Sequence, residues 1–250
     1  MLILLPPSEG KTAPADGDPV DLEALPFPEL TPARRRVGKA LIATSGQRNA
    51  LSVLGAGPSL AEAVARNTTL WANPSAPAAQ VYSGVLYDAA GAADWDADTM
   101  ARAAQRVRIL SALWGAISPA DEIPAYRLSM CSSLGRMGAV TAHWRKHLAP
   151  TLTHETRDHL IIDCRSSDYA AVWKPPPGTA LTVRVEREFE GRRSAVSHAA
   201  KHTRGLLTAA LVATAVEPTT GEAVAELAAQ IPGISSVELR PGSLTLVTTG

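Results

Sequence analysis

Short apolar runs that stop abruptly at polar loops constrain this chain most. The clearest is residues 107–130, VRILSALWGAISPADEIPAYRLSM. Val107, Ile109, Leu110 and Leu113 make an apolar run of strand length, flanked by Arg106 and Arg108. Gly115, Ser118 and Pro119 then break regular structure, and Asp121, Glu122, Tyr126 and Arg127 follow in a loop. Leu2–Leu5 and residues 160–164 repeat the pattern. Buried strands that open into such loops bring polar side chains to strand ends, where α/β proteins commonly build sites. Taken alone, residues 107–130 are equally a strand, a turn and an ordinary charged loop.

The 250 residues are 46% hydrophobic, enough for one large core, so one domain over 1–250 is expected. Aromatics are only 4%, which leaves small side chains to fill much of that core. Lys+Arg and Asp+Glu are 24 each, for a formal net charge of +0. That argues against a protein coated with positive charge for nucleic acid and leaves room for a local basic groove. Cys131 and Cys164 form no CxxC and fit a reducing cytoplasm. The opening apolar run meets Pro6-Pro7 at once, too soon for a signal peptide or a membrane span, so a cytoplasmic protein with no membrane partner is expected.

Leu2–Leu5 leads into PPSEGKT. Gly10-Lys11-Thr12 copies the end of a P-loop, but the first glycine of GxxxxGK[ST] would fall at Leu5, so the spacing excludes a Walker-type ATP site. A tight glycine turn carrying Ser8, Glu9 and Lys11 remains. Residues 13–32 suggest a surface excursion. In the helix expected over 32–41, Arg34, Arg35, Arg36 and Lys39 suggest a solvated face, with phosphate contact as the alternative. Helices are also expected over 58–66, 97–106 with Asp96 or Asp98 as cap, 139–148, 198–216, and 221–230 with Thr219 or Thr220 as cap. Ser83 and Gly84 mark a close approach within 81–86.

Residues 160–164 form a further strand, after which Ser166 or Ser167 can cap a helix start whose free amides favour an anion. Leu181, Val183 and Val185 alternate with Thr182, Arg184 and Glu186, a half-buried strand that pairs with 194–197 across Glu190-Gly191. Residues 237–247 form a hairpin across Pro241-Gly242. Lys201 and Arg204 share a face near a helix start, against the helix dipole, as suits two cations that hold an anion; two solvated charges are the plain alternative. His143/His147 and His198/His202 are spaced four apart, but neither pair lies in HExxH or has an evident third ligand, so no metal and no cofactor are expected. Strands and helices alternate without a strict βαβ rhythm, which predicts an α+β, mixed α/β fold.

LSALWGAISPADEIPAYRLSM resembles the most distinctive motif of the YaaA peroxide-stress family. Five further stretches agree in the same order: PPSEGK at Pro6 to Lys11, VYSGVLYD from Val81, HW at His143-Trp144, IIDCRSSDYAAV from Ile161, and SHAAKHTRGLL from Ser197. Three features depart from the family pattern. Asp163-Cys164-Arg165 replaces Asn-Leu-Ala, His198 stands where an aromatic is usual, and ISSVEL at 234–239 replaces the carboxyl-terminal segment. The resemblance implies the family's single compact cantaloupe-like domain, with a positively charged cleft and a helix-hairpin-helix. Residues 34–41 or 143–148 are the candidates for that element. It also implies a part in limiting free iron and DNA damage under hydrogen peroxide.

Two functions then compete with a scaffold that has no chemistry. One is binding of DNA or nucleotide phosphates, with Lys11, Arg127, Lys174, Lys201 and Arg204 against phosphates. The other is an enzyme acting on a small phosphorylated or nucleobase-containing substrate. Its catalytic candidates are Asp168, Tyr126 and Lys201. Ser8, Lys11, Ser83, Arg127, Ser166, Ser167, Tyr169, Lys174 and Arg204 are the candidates that hold substrate or phosphate. The carboxylate and hydroxyl groups in this set favour acid–base work, which non-specific phosphate binding does not need.

Overall fold

A computed structural model describes residues 1–190, 192–195 and 197–249, without the side chains of Ala195, Ser197 and His198. The elements used below are β1 Leu2–Leu5, β2 Gly10–Lys11, α1 Thr31–Ser45, β3 Tyr82–Ser83, α2 Val85–Ala90, α3 Ala97–Arg106, β4 Val107–Ser111, β5 Gly115–Ile117, α4 Val140–Glu155, β6 Ile161–Asp163, β7 Ala180–Phe189, β8 Arg192–Ala195, α5 Ser197–Ala213, α6 Gly221–Ala229, β9 Ile234–Arg240 and β10 Ser243–Thr249.

Eight strands form the central sheet, in the order β9-β10-β7-β6-β1-β4-β5, with β8 added to β7. The three apolar runs of the sequence lie side by side at its centre. β1 is parallel to β6 and β4, with Ile3 opposite Ile162 on one side and Val107 on the other. β7 is parallel to β6 and β10. Central parallel strands are covered on both faces, which is why β1 is buried at every position. The expected mixed α/β fold is present, with a mostly parallel sheet. The two expected hairpins are also present as β7–β8 and β9–β10. No helix among the described residues is long and apolar enough to cross a membrane.

The helices pack through small residues. A side chain at Gly205 of α5 would meet the Leu86 carbonyl of α2 at 2.3 Å, so glycine permits the close crossing of these two helices. Asp96 caps α3 through the Thr99 amide, and Thr220 caps α6 through the Ala223 amide. Arg106 donates to the carbonyls of Leu211, Thr214 and Ala215, satisfying the end of α5.

Three local expectations fail for physical reasons. Arg34 is not on a solvated face. It is fully buried, with Nε donating to Trp114 O, Nη1 to Phe27 O, and Nη2 to Pro26 O and Ala116 O. Arg35, Arg36 and Lys39 remain exposed. Residues 13–32 are not wholly a surface excursion, because Leu22, Leu25 and Leu30 reach the core. Gly10 and Lys11 do not close a tight turn on themselves; they pair with Ser83 and Tyr82 as β2–β3.

Candidate functional site

β1 and β6 are adjacent and parallel, so the loops that follow them leave the sheet at the same end. Between those loops lies a cavity of about 980 Å³. Pro6 to Gly10 form one wall after β1, and Cys164 to Tyr169 another after β6. Ser83 to Tyr87 close a third side, and β7 and α5 contribute Arg184, Glu186, Lys201 and Arg204. This is the carboxyl-end position where open α/β sheets commonly bind ligands.

Eight expected site residues line this cavity: Ser8, Ser83, Ser166, Ser167, Asp168, Tyr169, Lys201 and Arg204. Asp168 and Lys201 are exposed. Arg204 is held by a 2.8 Å bond from Nη2 to the Val183 carbonyl, while its buried Nε has no hydrogen-bond partner among the described residues. Tyr169 is only 6% exposed, and its hydroxyl also lacks a partner there. Burial, with the nearby Glu9 carboxylate, pushes that phenol well above its ordinary pKa. Buried donors without protein partners are groups that a bound ligand can satisfy.

Ser166 and Ser167 do not cap as expected. Ser166 occupies the position before the single turn Ser167–Ala170 without a side-chain cap bond. Its backbone carbonyl accepts the Tyr169 and Ala170 amides instead. Behind this loop, Asp163 and Arg165 form a buried bidentate pair. Arg165 Nε reaches Oδ1 at 2.8 Å and Nη2 reaches Oδ2 at 2.7 Å, and the guanidinium lies over Trp173. Two of the residues that replace Asn-Leu-Ala in the family pattern are therefore each other's partners.

Lys11, Tyr126 and Arg127 form a second layer behind the Ser8–Gly10 wall. Lys11 Nζ donates to the Ser8 carbonyl at 2.7 Å and sits 4.2 Å from the centre of the Tyr126 ring. Burial, aided by the positive Arg127 and opposed by Glu9, pulls the Lys11 ammonium down to about 7. Tyr126 is 3% exposed, and its hydroxyl bonds Tyr82 and Ser111, which in turn accepts the Leu113 and Trp114 amides. Arg127 pairs with Glu9 at 2.5 Å, and its backbone is clamped by Asn67 in both directions. Lys174 is exposed and does not line the cavity.

The peroxide stress protein YaaA family model matches residues 1–230. The chain belongs to the YaaA peroxide stress protein family. Relatives include a UPF0246 protein of Streptomyces coelicolor, 41% identical over 221 residues, covering 87% of this chain and 85% of that protein. Another, from Corynebacterium efficiens, is 43% identical over 232 residues, covering 91% of each. A third, from Corynebacterium glutamicum strain R, is 39% identical over 255 residues, covering 99% of this chain and all of the relative.

Within this YaaA-family chain, sequence reasoning passed over Arg165, Arg184 and Glu186 as site residues. The alternation of β7 put Arg184 on the side opposite Val183 and Val185, and this was the available signal. Cys131 was likewise set aside. It is exposed, and partial loss of solvent around its thiol together with the hydrogen-bonded Asp168 carboxylate pushes its pKa up. The His143 and His147 ring centres are 4.7 Å apart and tilted by 50°, and among the described residues no group of three or more His, Cys, Asp or Glu is arranged to hold a metal ion. The His198 side chain lies outside the described residues.

Proposed function

We propose that the cavity binds a compact, anionic, nucleotide-like ligand, and that this binding is the chain's contribution to the peroxide response. One observation carries the reading: Arg184, Lys201 and Arg204 line one cavity together with Glu9, Asp168, Glu186 and five serines. A groove for DNA backbone has little use for three carboxylates. A small ligand with an anionic end and polar edges can use both signs, and the cavity has the size of a small-molecule site. In this reading Lys201 and Arg204 hold the anion, and Asp168 is the proton-transfer group if the ligand reacts. Duplex DNA is the second reading. Exposed Arg35, Arg36 and Lys39 on α1 favour it, a surface apart from the cavity wall.

Salt separates the two. Nucleotides and nucleosides are screened by thermal shift while duplex DNA is titrated at several salt concentrations. A compact ligand at a hundred times its Kd adds about 2.7 kcal/mol of stability. Lys201→Ala should abolish that gain, and Asp168→Asn should retain it. DNA binding through several phosphates falls with salt at a slope of about −0.9 per phosphate. Tight, steeply salt-dependent DNA binding without any small-molecule stabilisation would reject the first reading.

A further inference from the structure

β6 ends at Asp163, and the chain then turns directly into the cavity wall at 164–169. An ion pair taken out of water sits in this turn. The Arg165 side chain is fully buried, and that of Asp163 is 8% exposed. Asp163 Oδ1 accepts both the Arg165 backbone amide at 3.1 Å and Nε at 2.8 Å, and Oδ2 accepts Nη2 at 2.7 Å. The remaining nitrogen, Nη1, donates to the Tyr169 carbonyl at 3.4 Å. One guanidinium therefore spans the wall, joining the strand end to its far end.

Both ends of this span are anchored elsewhere. Asp163 is in register with Leu4 and Thr182 of the central sheet. The guanidinium lies over the Trp173 ring at 5.7 Å, and Trp173 Nε1 donates to Thr153 of α4 at 3.2 Å. The turn in between has little else to hold it. Its Ser166 carbonyl accepts the Tyr169 and Ala170 amides, but Ser166 provides no side-chain cap. A buried ion pair is a poor way to gain stability, because apolar side chains of similar volume often serve as well or better. What the fork adds is a single conformation, since its nitrogens meet their acceptors only when the wall is in one place. The pair also neutralises Arg165, which borders the cavity, and so leaves a bound anion to Lys201 and Arg204 on α5.

We propose that the Asp163–Arg165 pair is a positioning device for the cavity's ligand. It sets the 166–169 wall, which carries Asp168, Ser166 and Ser167, at a fixed reach from Lys201 and Arg204. This inference rests on the cavity being the anion-binding site proposed above. A ligand that touches only the α5 cations, such as inorganic phosphate, is indifferent to that setting. One that extends from α5 to the 166–169 wall, such as a nucleoside monophosphate, depends on it. The pair thus selects ligands whose polar edge lies at a set reach from their anion, and it does so without touching them.

The test is the full chain carrying Asp163→Leu and Arg165→Met together, which removes the pair and fills its place with apolar side chains. Urea unfolding should stay close to wild type. Amide hydrogen exchange at Tyr169 and Ala170, followed by NMR, should quicken about tenfold, the weight of one lost hydrogen bond, while amides of β1 and β6 keep their wild-type rates. In calorimetric titrations nucleoside monophosphates should bind about tenfold more weakly, with inorganic phosphate unchanged. Unchanged exchange at both amides would overturn the proposal, as would equal weakening of phosphate and nucleotide, or no weakening of either. If the double variant does not melt cooperatively, Arg165→Lys takes its place. It keeps a charge beside Asp163, loses the fork to Tyr169, and must show the same faster exchange and the same split between ligands. A wild-type chain that binds no nucleoside monophosphate would reject the ligand reading, and exchange at Tyr169 and Ala170 would then decide alone whether the pair holds the wall.

Discussion

Arg34 donates from three guanidinium nitrogens to four carbonyl oxygens, whereas the Lys11 ammonium meets one carbonyl and the faces of two tyrosines. Arg34 is fully buried and Lys11 half-buried, and burial lowers the pKa of both. Arg34 falls to about 10 and stays charged at neutral pH, while Lys11 falls to about 7 and stands at its midpoint. A planar fork can satisfy several fixed carbonyls at once, and arginine keeps its proton; a lysine in an underprovided pocket gives its proton up. The first arrangement ties α1 to β5 and to the loop before it. The second leaves an amine able to accept a proton in the layer behind a cavity wall.

The largest test of this contrast is Arg34→Ala. It strands the four carbonyls and removes a fully buried side chain, so a loss of about 3–5 kcal/mol is expected in urea unfolding. A loss below about 1 kcal/mol would show that these contacts are not structural. Arg34→Lys keeps the charge but not the fork and should still cost about 2 kcal/mol, because one ammonium cannot reach all four oxygens.

Lys11→Met tests the other half through pH. The folded value near 7 lies below the unfolded value of 10.5, so between them the unfolded chain binds the extra proton. Stability contributed by neutral Lys11 is full above about 10.5 and lost as pH falls through about 7. Wild type should therefore gain on Lys11→Met as pH rises from 7 to 9, and a difference independent of pH would mean that Lys11 remains charged. Arg35→Ala sets the lower bound. Its ion pair with Glu23 is exposed on both sides, so a change under about 0.5 kcal/mol is expected by chemical denaturation. A larger loss would mean that α1 depends on its outer face as well as on Arg34.

Much of the scaffold was legible because apolar period and breakers report burial locally. Leu2–Leu5, Val107–Ser111 and Ile161–Asp163 are strands, and Asp96 and Thr220 are caps, for reasons confined to a few neighbours. The polar groups after β1 and β6 were legible as site candidates by the same logic. What the sequence could not supply was partnership. Arg34 sits in a row of cations with nothing local to mark it, and its acceptors lie up to 82 residues away. Asp163 and Arg165 are neighbours in sequence, yet only burial makes them a pair. Lys11 looks like any basic residue after a glycine until β2–β3 pairing brings it to Tyr82 and the fold brings in Tyr126. Pattern along the chain determines which segments leave water. The long-range closure of the sheet decides which charges leave with them, because the cost of burying a charge depends on acceptors that only the folded chain brings together.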